Sequence, residues 1–374
     1  MVNASLAGVI REARLHSEID RLFAARFGFP GILRQDLADL SFLADSELDA
    51  MALSPASVLG TSRQQLSERD LDQIAANLKA RGAGFLFVIG GNGSMGTAAR
   101  ISQHANPGLT VIGIPKTIDN DILEIDHTPG YASAARFFAC AVRDIGGDNR
   151  TLPGQVEFVE VLGRNVGWLA AATAFARHRP HDPPHLIYFP EAPLPLEQLL
   201  DDVNRVYQRL GRCVVAVCEG QLDQNQQPFG ADVRVGSGGA LAMNLAHRLA
   251  MLVSDKLKFR ARSEKPGLLG RSTTAFASEL DRQEAERCGR AAVQCALSGA
   301  QGVMITLIRD SGAGYSVHTG SAPLENVSGR QRAFPRGWMN AAANDVAPGF
   351  LEYAAPLIGA IPAYPEVLRS ISSS

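Results

Sequence analysis

Between Gly84 and Gly90 the chain reads GFLFVIG, an unbroken apolar run of strand length that ends in a cluster of glycines. A run this short, without polar alternation, predicts a strand buried on both faces of a parallel sheet. The pattern recurs along the chain. Leu109–Pro115, Val156–Leu162, His185–Phe189, Cys213–Cys218 and Val303–Ile308 read as strands. Met95–His104, Gly130–Ile145 and Gly167–Arg177 read as helices between them. Strands alternating with helices predict an α/β fold with mostly parallel sheets covered by helices. The first helix comes early: Leu6, Val9, Ile10 and Ala13 fall on one face, and no strand precedes them. The proline-rich stretches His178–Pro184 and Pro190–Pro195 read as loops, and Ser370–Ser374 as a frayed polar tail.

The chemistry gathers where strands end. Gly90-Gly91-Asn92-Gly93-Ser94-Met95-Gly96 follows a strand and opens a helix. Glycines let a backbone approach a ligand, and the free N–H groups of a helix start favour an anion, which is the mechanical design of a phosphate cradle. A tight turn alone also needs glycine, so this segment does not decide the matter by itself. Pro115-Lys116-Thr117-Ile118-Asp119-Asn120-Asp121 lies past the end of the next strand, where open α/β sheets bind ligands. One carboxylate there can act as general base while another group holds a metal. Three further segments end in polar groups: Val159–Gly167 with Arg164, Val214–Cys218 followed by Glu219, and Arg262–Arg271 around a Pro-Gly turn. Arginines so placed suit phosphate or carboxylate, although each alone is also what a surface cation looks like.

The remaining composition narrows the function. With 36 Lys and Arg against 38 Asp and Glu, the formal net charge is -2, which gives no field for nucleic acid or an anionic membrane. A phosphorylated substrate has to be held by local groups. The five cysteines form no CxxC pair and read as small buried thiols in a reducing compartment. No apolar run approaches the ~20 residues that cross a bilayer, and no signal peptide opens the chain, so the cytoplasm is expected.

Taken together and in this order, these segments resemble the phosphofructokinase family. GGNGSMG is similar to its donor loop, PKTIDND matches its central motif letter for letter, and VEVLGRNVGWLA is similar to its next segment. Glu219, RSEKPGLLGR, His127–Tyr131 and Leu59–Arg63 fit as well. The resemblance implies that Asp119 takes the proton from the C1 hydroxyl of fructose 6-phosphate. It places Thr117, Ile118, Leu162, Gly163 and Arg164 at the substrate, Arg164 also near the transferred phosphoryl group. Glu219 then hydrogen-bonds the sugar, Arg271 holds the 6-phosphate with Leu268 flanking it, and Arg262 reaches a neighbouring subunit's site in a homodimer or homotetramer. Arg63, Gly91, Gly93 and Ser94 face the donor, Lys116 adds catalytic charge, and Asn92 and Asp121 form the Mg²⁺ environment. Phosphoryl transfer needs such positioning and positive charge more than covalent help.

The donor is read from two positions. Gly93 leaves room for a nucleotide, whereas Lys116 belongs with the pyrophosphate-dependent branch. A charge-assisted contact of that kind is worth roughly 1.5–3 kcal/mol. The opening NASLAGVI and Arg332 through Trp338 also resemble that branch. The expected activity is therefore a pyrophosphate-dependent transfer to fructose 6-phosphate. An ATP-dependent enzyme and a catalytically silent subunit are the alternatives.

The chain departs from the family in places. Asn92 stands where an Asp is usual, Gln155 where bacterial ATP-dependent members have Arg, and Leu268 where a polar residue is usual. The family's first strand and first Gly-rich loop are missing, so a truncated, less stable chain with an unpaired sheet edge is expected. Two Rossmann-like domains follow from the resemblance: residues 1–150 with 266–320 for the donor, and 151–265 with 321–374 for the sugar phosphate, with Asp119 at a cleft between them.

Overall fold

β-branched and aromatic side chains fit a pleated surface, and the glycines after them release the chain into helices. The computed structural model describes residues 1–364 apart from 105–107, 153, 230–232, 237–238, 243 and 313. The Ser370–Ser374 tail lies outside the described residues. Helix α1 spans Val2–Ala13. Strand β1 (Phe85–Gly90) runs into α2 (Asn92–His104), and β2 (Thr110–Pro115) leads through a long loop to α3 (Tyr131–Thr151). Then come β3 (Gln155–Val161), β4 (Leu186–Tyr188), α4 (Leu196–Leu210) and β5 (Cys213–Cys218). After α5 (Leu245–Leu257) and β6 (Arg260–Glu264) follow α6 (Glu279–Leu297), β7 (Val303–Arg309) and β8 (Val317–Pro323).

The chain divides into two units. The first holds Met1–Ala134, Arg234–Ala240 and Gly267–Phe334, and the second Ala135–Val233, Leu241–Pro266 and the residues from Pro335 onward. The first unit has a four-stranded sheet in the order β8-β7-β2-β1. β1 and β2 are parallel, in register from Phe85↔Thr110 to Gly90↔Pro115. β7 joins β2 in parallel, and β8 returns antiparallel on β7. The second unit has a fully parallel sheet in the order β6-β3-β5-β4. This is the expected α/β architecture.

Three local expectations change. β1 is not buried on both faces: only Val88 is buried, because β1 is the edge strand of its sheet among the described residues. Helix α2 starts at Asn92 rather than Met95, which puts Asn92, Gly93 and Ser94 in its first turn. The predicted Gly167–Arg177 helix is α-helical only over Trp168–Ala172 and then tightens into a 3₁₀ turn over Thr173–Ala176.

The core of the first unit packs Leu71, Ile74, Met95, Ile101, Val111, Ile112, Ile114, Met304 and Leu307 with Cys288 and Val293 of α6. Helix α1 lies against α6 at backbone contact: a methyl group on Gly8 would stand 2.1 Å from the Glu286 carbonyl oxygen. That crossing explains why α1 buries more than its predicted stripe, including Asn3, Ser5 and Glu12. In the second unit Val156, Phe158, Val215 and Val217 of the sheet pack on Leu199 and Val203 of α4 and Leu249 and Val253 of α5. Cys140, Cys213, Cys218 and Cys288 are free and buried, and Cys295 is free and half-buried. Among the described residues no helix is long and apolar enough to cross a membrane.

Candidate active site

Parallel pairing brings the ends of β1 and β2 side by side, and the Lys116 amide donates to the Gly90 carbonyl at 2.9 Å. The glycine cluster after β1 is therefore next to PKTIDND. A methyl group on Gly90 would stand 2.2 Å from Ser94 Oγ, so that glycine is required by the first turn of α2. At Gly93 a methyl group would meet nothing within 4 Å, and the position is exposed. A helix start favours an anion, and here the Ser94 amide turns back to the Gly91 carbonyl at 2.9 Å.

The loop from Lys116 to Gly130 folds back on itself. The Thr117 amide donates to the Pro129 carbonyl at 3.2 Å, and Thr128 Oγ1 donates to the Thr117 carbonyl at 2.9 Å. The Asp119 amide donates to Thr117 Oγ1 at 3.2 Å. Asn120 is fully buried with φ +56°, a backbone region that L-residues occupy at a cost, and its Oδ1 accepts from the Thr128 amide at 3.0 Å. Burial pulls the Lys116 ammonium below its ordinary pKa. The charges of Asp119 and Asp281 oppose that shift, and Arg271 adds to it. Lys116, Asp119 and Arg271 thus belong to one electrostatic group.

Asn92 donates from Nδ2 to the Asp121 carbonyl at 3.1 Å. Its Oδ1 is buried and has no hydrogen-bond partner. A buried, unpaired amide oxygen is costly unless a ligand completes it. The Asp121 carboxylate is buried and accepts from Gln331 Nε2 at 3.0 Å. Among the described residues no three His, Cys, Asp or Glu side chains group as a metal cage.

In the second unit β3 ends in a strained turn. Gly163 has φ +142° and Arg164 φ +52°. The Arg164 amide donates to Glu219 Oε1 at 3.2 Å, and the Cys218 thiol lies 3.4 Å from the Arg164 carbonyl. Burial raises the Glu219 pKa, the Arg164 amide lowers it, and Glu160 raises it further. Arg164, Gly163 and Glu219 are thereby joined, with Leu162 half-buried beside them.

The model of the family described as "Phosphofructokinase" matches residues 1–296. The chain belongs to the phosphofructokinase family. A protein of Rhodospirillum rubrum named pyrophosphate--fructose 6-phosphate 1-phosphotransferase is 36% identical over 371 residues, covering 96% of this chain and 91% of that protein. A protein of Alkalicoccus urumqiensis named sulfofructose kinase is 31% identical over 341 residues, covering 90% of this chain and 87% of that one. The crystal structure of a pyrophosphate-dependent phosphofructokinase from Marinobacter aquaeolei superimposes with a TM-score of 0.86 at 31% identity. It covers 97% of this chain and 89% of its own.

The other family positions lie on separate segments of the chain. Arg63 is exposed in the segment between the helices Asp45–Leu53 and Glu68–Ala80. Arg262 is exposed on the edge strand β6, in register with Glu157. Leu268 is 66% exposed ahead of the short helix Leu269–Ser272, which carries the exposed Arg271. Sequence reasoning missed Arg332. Its guanidinium donates to the carbonyls of Asn120 at 2.9 Å and of Ile125 and Asp126 at 2.6 Å each, and its amide donates to the Asp121 carbonyl at 2.8 Å. It also missed Asp281, whose two oxygens accept from the amides of Gly130 at 2.6 Å and Ser133 at 3.0 Å. The only signal was the RAFP segment around Arg332, and it says nothing of the carbonyls.

Proposed function

We propose that this chain transfers a phosphoryl group from pyrophosphate to O1 of fructose 6-phosphate. The products are fructose 1,6-bisphosphate and orthophosphate, in a reversible step of cytoplasmic glycolysis and gluconeogenesis. The carrying observation is the place of Lys116, at the end of β2 with its amide on the Gly90 carbonyl beside the glycine cluster and its side chain in the field of Asp119 and Arg271. A cation there stabilises charge on a leaving phosphate. The names of the Rhodospirillum and Marinobacter relatives support the same donor.

In this reading Asp119 takes the C1 hydroxyl proton as that oxygen attacks the near phosphorus of pyrophosphate. The bond to the bridging oxygen breaks, and orthophosphate leaves toward Lys116. Gly91, Gly93 and Ser94, with Arg63, are assigned to the donor. Thr117, Ile118, Leu162, Gly163, Arg164, Glu219, Leu268 and Arg271 are assigned to the sugar phosphate. Arg262 is assigned to a neighbouring copy in a homodimer or homotetramer.

Mg²⁺ fits the residues present, because Asn92 Oδ1 is a buried oxygen without a partner. Asn92 and Asp121 would hold it, and the donor's own oxygens would complete its shell, as Mg²⁺ prefers. When bound, it would neutralise charge on the transferred phosphoryl group.

The test is fructose 1,6-bisphosphate formation from fructose 6-phosphate and Mg²⁺, with pyrophosphate or ATP supplied separately and sulfofructose as a rival acceptor. Turnover of fructose 6-phosphate with pyrophosphate is expected, and Lys116→Gly should reduce it about 100-fold. Turnover with ATP alone, or of sulfofructose alone, overturns the assignment of donor or acceptor. No turnover with either donor points to a silent subunit.

A further inference from the structure

A buried ionic cluster in the first unit is unused by the chemistry above. Asp281 and Glu284 stand one turn apart on α6, and both are buried, at 0% and 1% exposed. Both point into the loop that carries Asp119. Asp281 takes the Gly130 and Ser133 amides and also Ser133 Oγ at 2.6 Å. Glu284 accepts from His127 Nε2 at 2.7 Å, and His127 Nδ1 donates to Asp126 at 2.8 Å. Tyr315 donates its hydroxyl to the other Glu284 oxygen. Arg309 donates to Asp126 at 2.9 Å and lies over the Tyr315 ring. From outside α6, Arg332 gathers the Asn120, Ile125 and Asp126 carbonyls.

These contacts fix the loop from the strained Asn120 onward. Two carboxylates on one rigid helix take the 127–133 stretch, and one guanidinium takes the 120–126 stretch. Asp119 lies next to Asn120, so its carboxylate direction follows from how that backbone is held. Residues that lock the geometry of a reacting group contribute by pre-organisation. We propose that Glu284, acting through His127, and Arg332 are positioning residues for the phosphoryl transfer, holding the Thr117–Gly130 loop so that Asp119 meets the acceptor hydroxyl. This rests on the function proposed above.

The cluster has a protonation signature. Burial alone would push the His127 ring below its ordinary pKa, but its hydrogen bonds to Asp126 and Glu284, and their charges, outweigh it and raise the value. Both ring nitrogens then donate, and the imidazolium ties α6 to the loop. The ionisable groups around it are Asp126 on its own loop, Glu284 on α6, Tyr315 before β8, and Arg309 at the end of β7. On α6 the charges of Glu284, Arg287 and Asp281 also act on the buried Cys288. Glu284→Gln keeps the shape but removes one of the two carboxylates that hold that proton. His127 should then lose it within the working range, and one tie with it.

The experiment compares the wild type with Glu284→Gln and Arg332→Lys in the pyrophosphate assay from about pH 6 to 8.5. Ring-nitrogen NMR of isotopically labelled histidine is recorded on the same samples without substrate. Both variants are expected to lose about 10- to 100-fold in kcat, with the KM for pyrophosphate changed by less than about threefold. The kcat of Glu284→Gln relative to wild type should fall further as pH rises, in step with loss of one His127 ring proton. A relative kcat that stays near one and flat with pH overturns the proposal, as does a neutral His127 in the wild type near pH 7. If Glu284→Gln does not fold, Asp126→Asn, on the other ring nitrogen, is read the same way. A wild type inert toward both donors, with its His127 imidazolium intact, overturns the functional reading instead.

Discussion

Gly289 of α6 lies so close to Ser5 of α1 that a methyl group on it would stand 2.1 Å from the Ser5 carbonyl oxygen. The obstacle is backbone, not the end of a flexible side chain, so one of the two helices has to move. Gly289→Ala is expected to lower unfolding stability by about 1–3 kcal/mol, the usual range for overpacking, despite alanine's better helix propensity. Urea unfolding followed by circular dichroism measures it. An unchanged or raised midpoint would show that the α1–α6 crossing gives way without cost.

Gly220 makes an even closer approach. A methyl group there would stand 1.7 Å from the Arg164 carbonyl oxygen, at the turn where Arg164 already has φ +52°. Gly220→Ala should displace the turn and with it Arg164 and Glu219. The expected loss in kcat/KM for fructose 6-phosphate is about 100-fold, since small misplacements of positioned groups cost that much. Steady-state kinetics on the folded variant decides. A near wild-type kcat/KM would separate Arg164 from the chemistry.

The strand ends were legible because their signals are local. GFLFVIG, PKTIDND and LGR each carry their pattern within a few residues, and strand-to-helix alternation places them at strand ends. The edge position of β1 was not legible, because strand order is decided by pairing and not by the run itself. The clamp on the Asp119 loop was hidden for a related reason. Asp281 meets Gly130 across 151 residues, Glu284 meets His127 across 157, and Arg332 meets Asn120 across 212. On the sequence these are an amphipathic helix with acidic residues and an arginine in a loop. Asn92 was legible as a departure from an acidic position, but its unpaired oxygen depends on Nδ2 being engaged by Asp121.

His185 gives a pH dependence with a definite sign. Burial, then the charge of Arg212, brings its pKa from 6.5 down to about 4. The ring stays neutral, and its Nδ1 accepts from the Val214 amide at 2.8 Å. A histidine with a depressed folded pKa contributes stability above its unfolded value, and that contribution is lost as pH falls toward the folded value. The window is pH 6.5 down to about 4. The size is on the order of 3 kcal/mol, at 1.36 kcal/mol per pKa unit. The stability advantage of wild type over His185→Gln should therefore shrink through that window. Urea midpoints at a series of pH values test it, and a constant difference contradicts the assignment.

Asn92 carries the prediction about the metal. Asn92→Ala removes the buried Oδ1 and also the hydrogen bond to the Asp121 carbonyl. The Mg²⁺ concentration for half-maximal turnover should rise about tenfold, by the scale on which side chains at and around metal sites act. Asn92→Asp supplies an oxygen with negative charge in the same place, and hard cations bind more tightly as ligand charge increases. Its Mg²⁺ requirement should fall below wild type. The Asp121 carbonyl loses the Asn92 Nδ2 donor in both variants and keeps the Arg332 amide, so the opposite directions isolate the oxygen at position 92. If both shift the requirement upward by the same factor, the Asp121 contact and not the oxygen is what matters, and Asn92 is not a metal ligand.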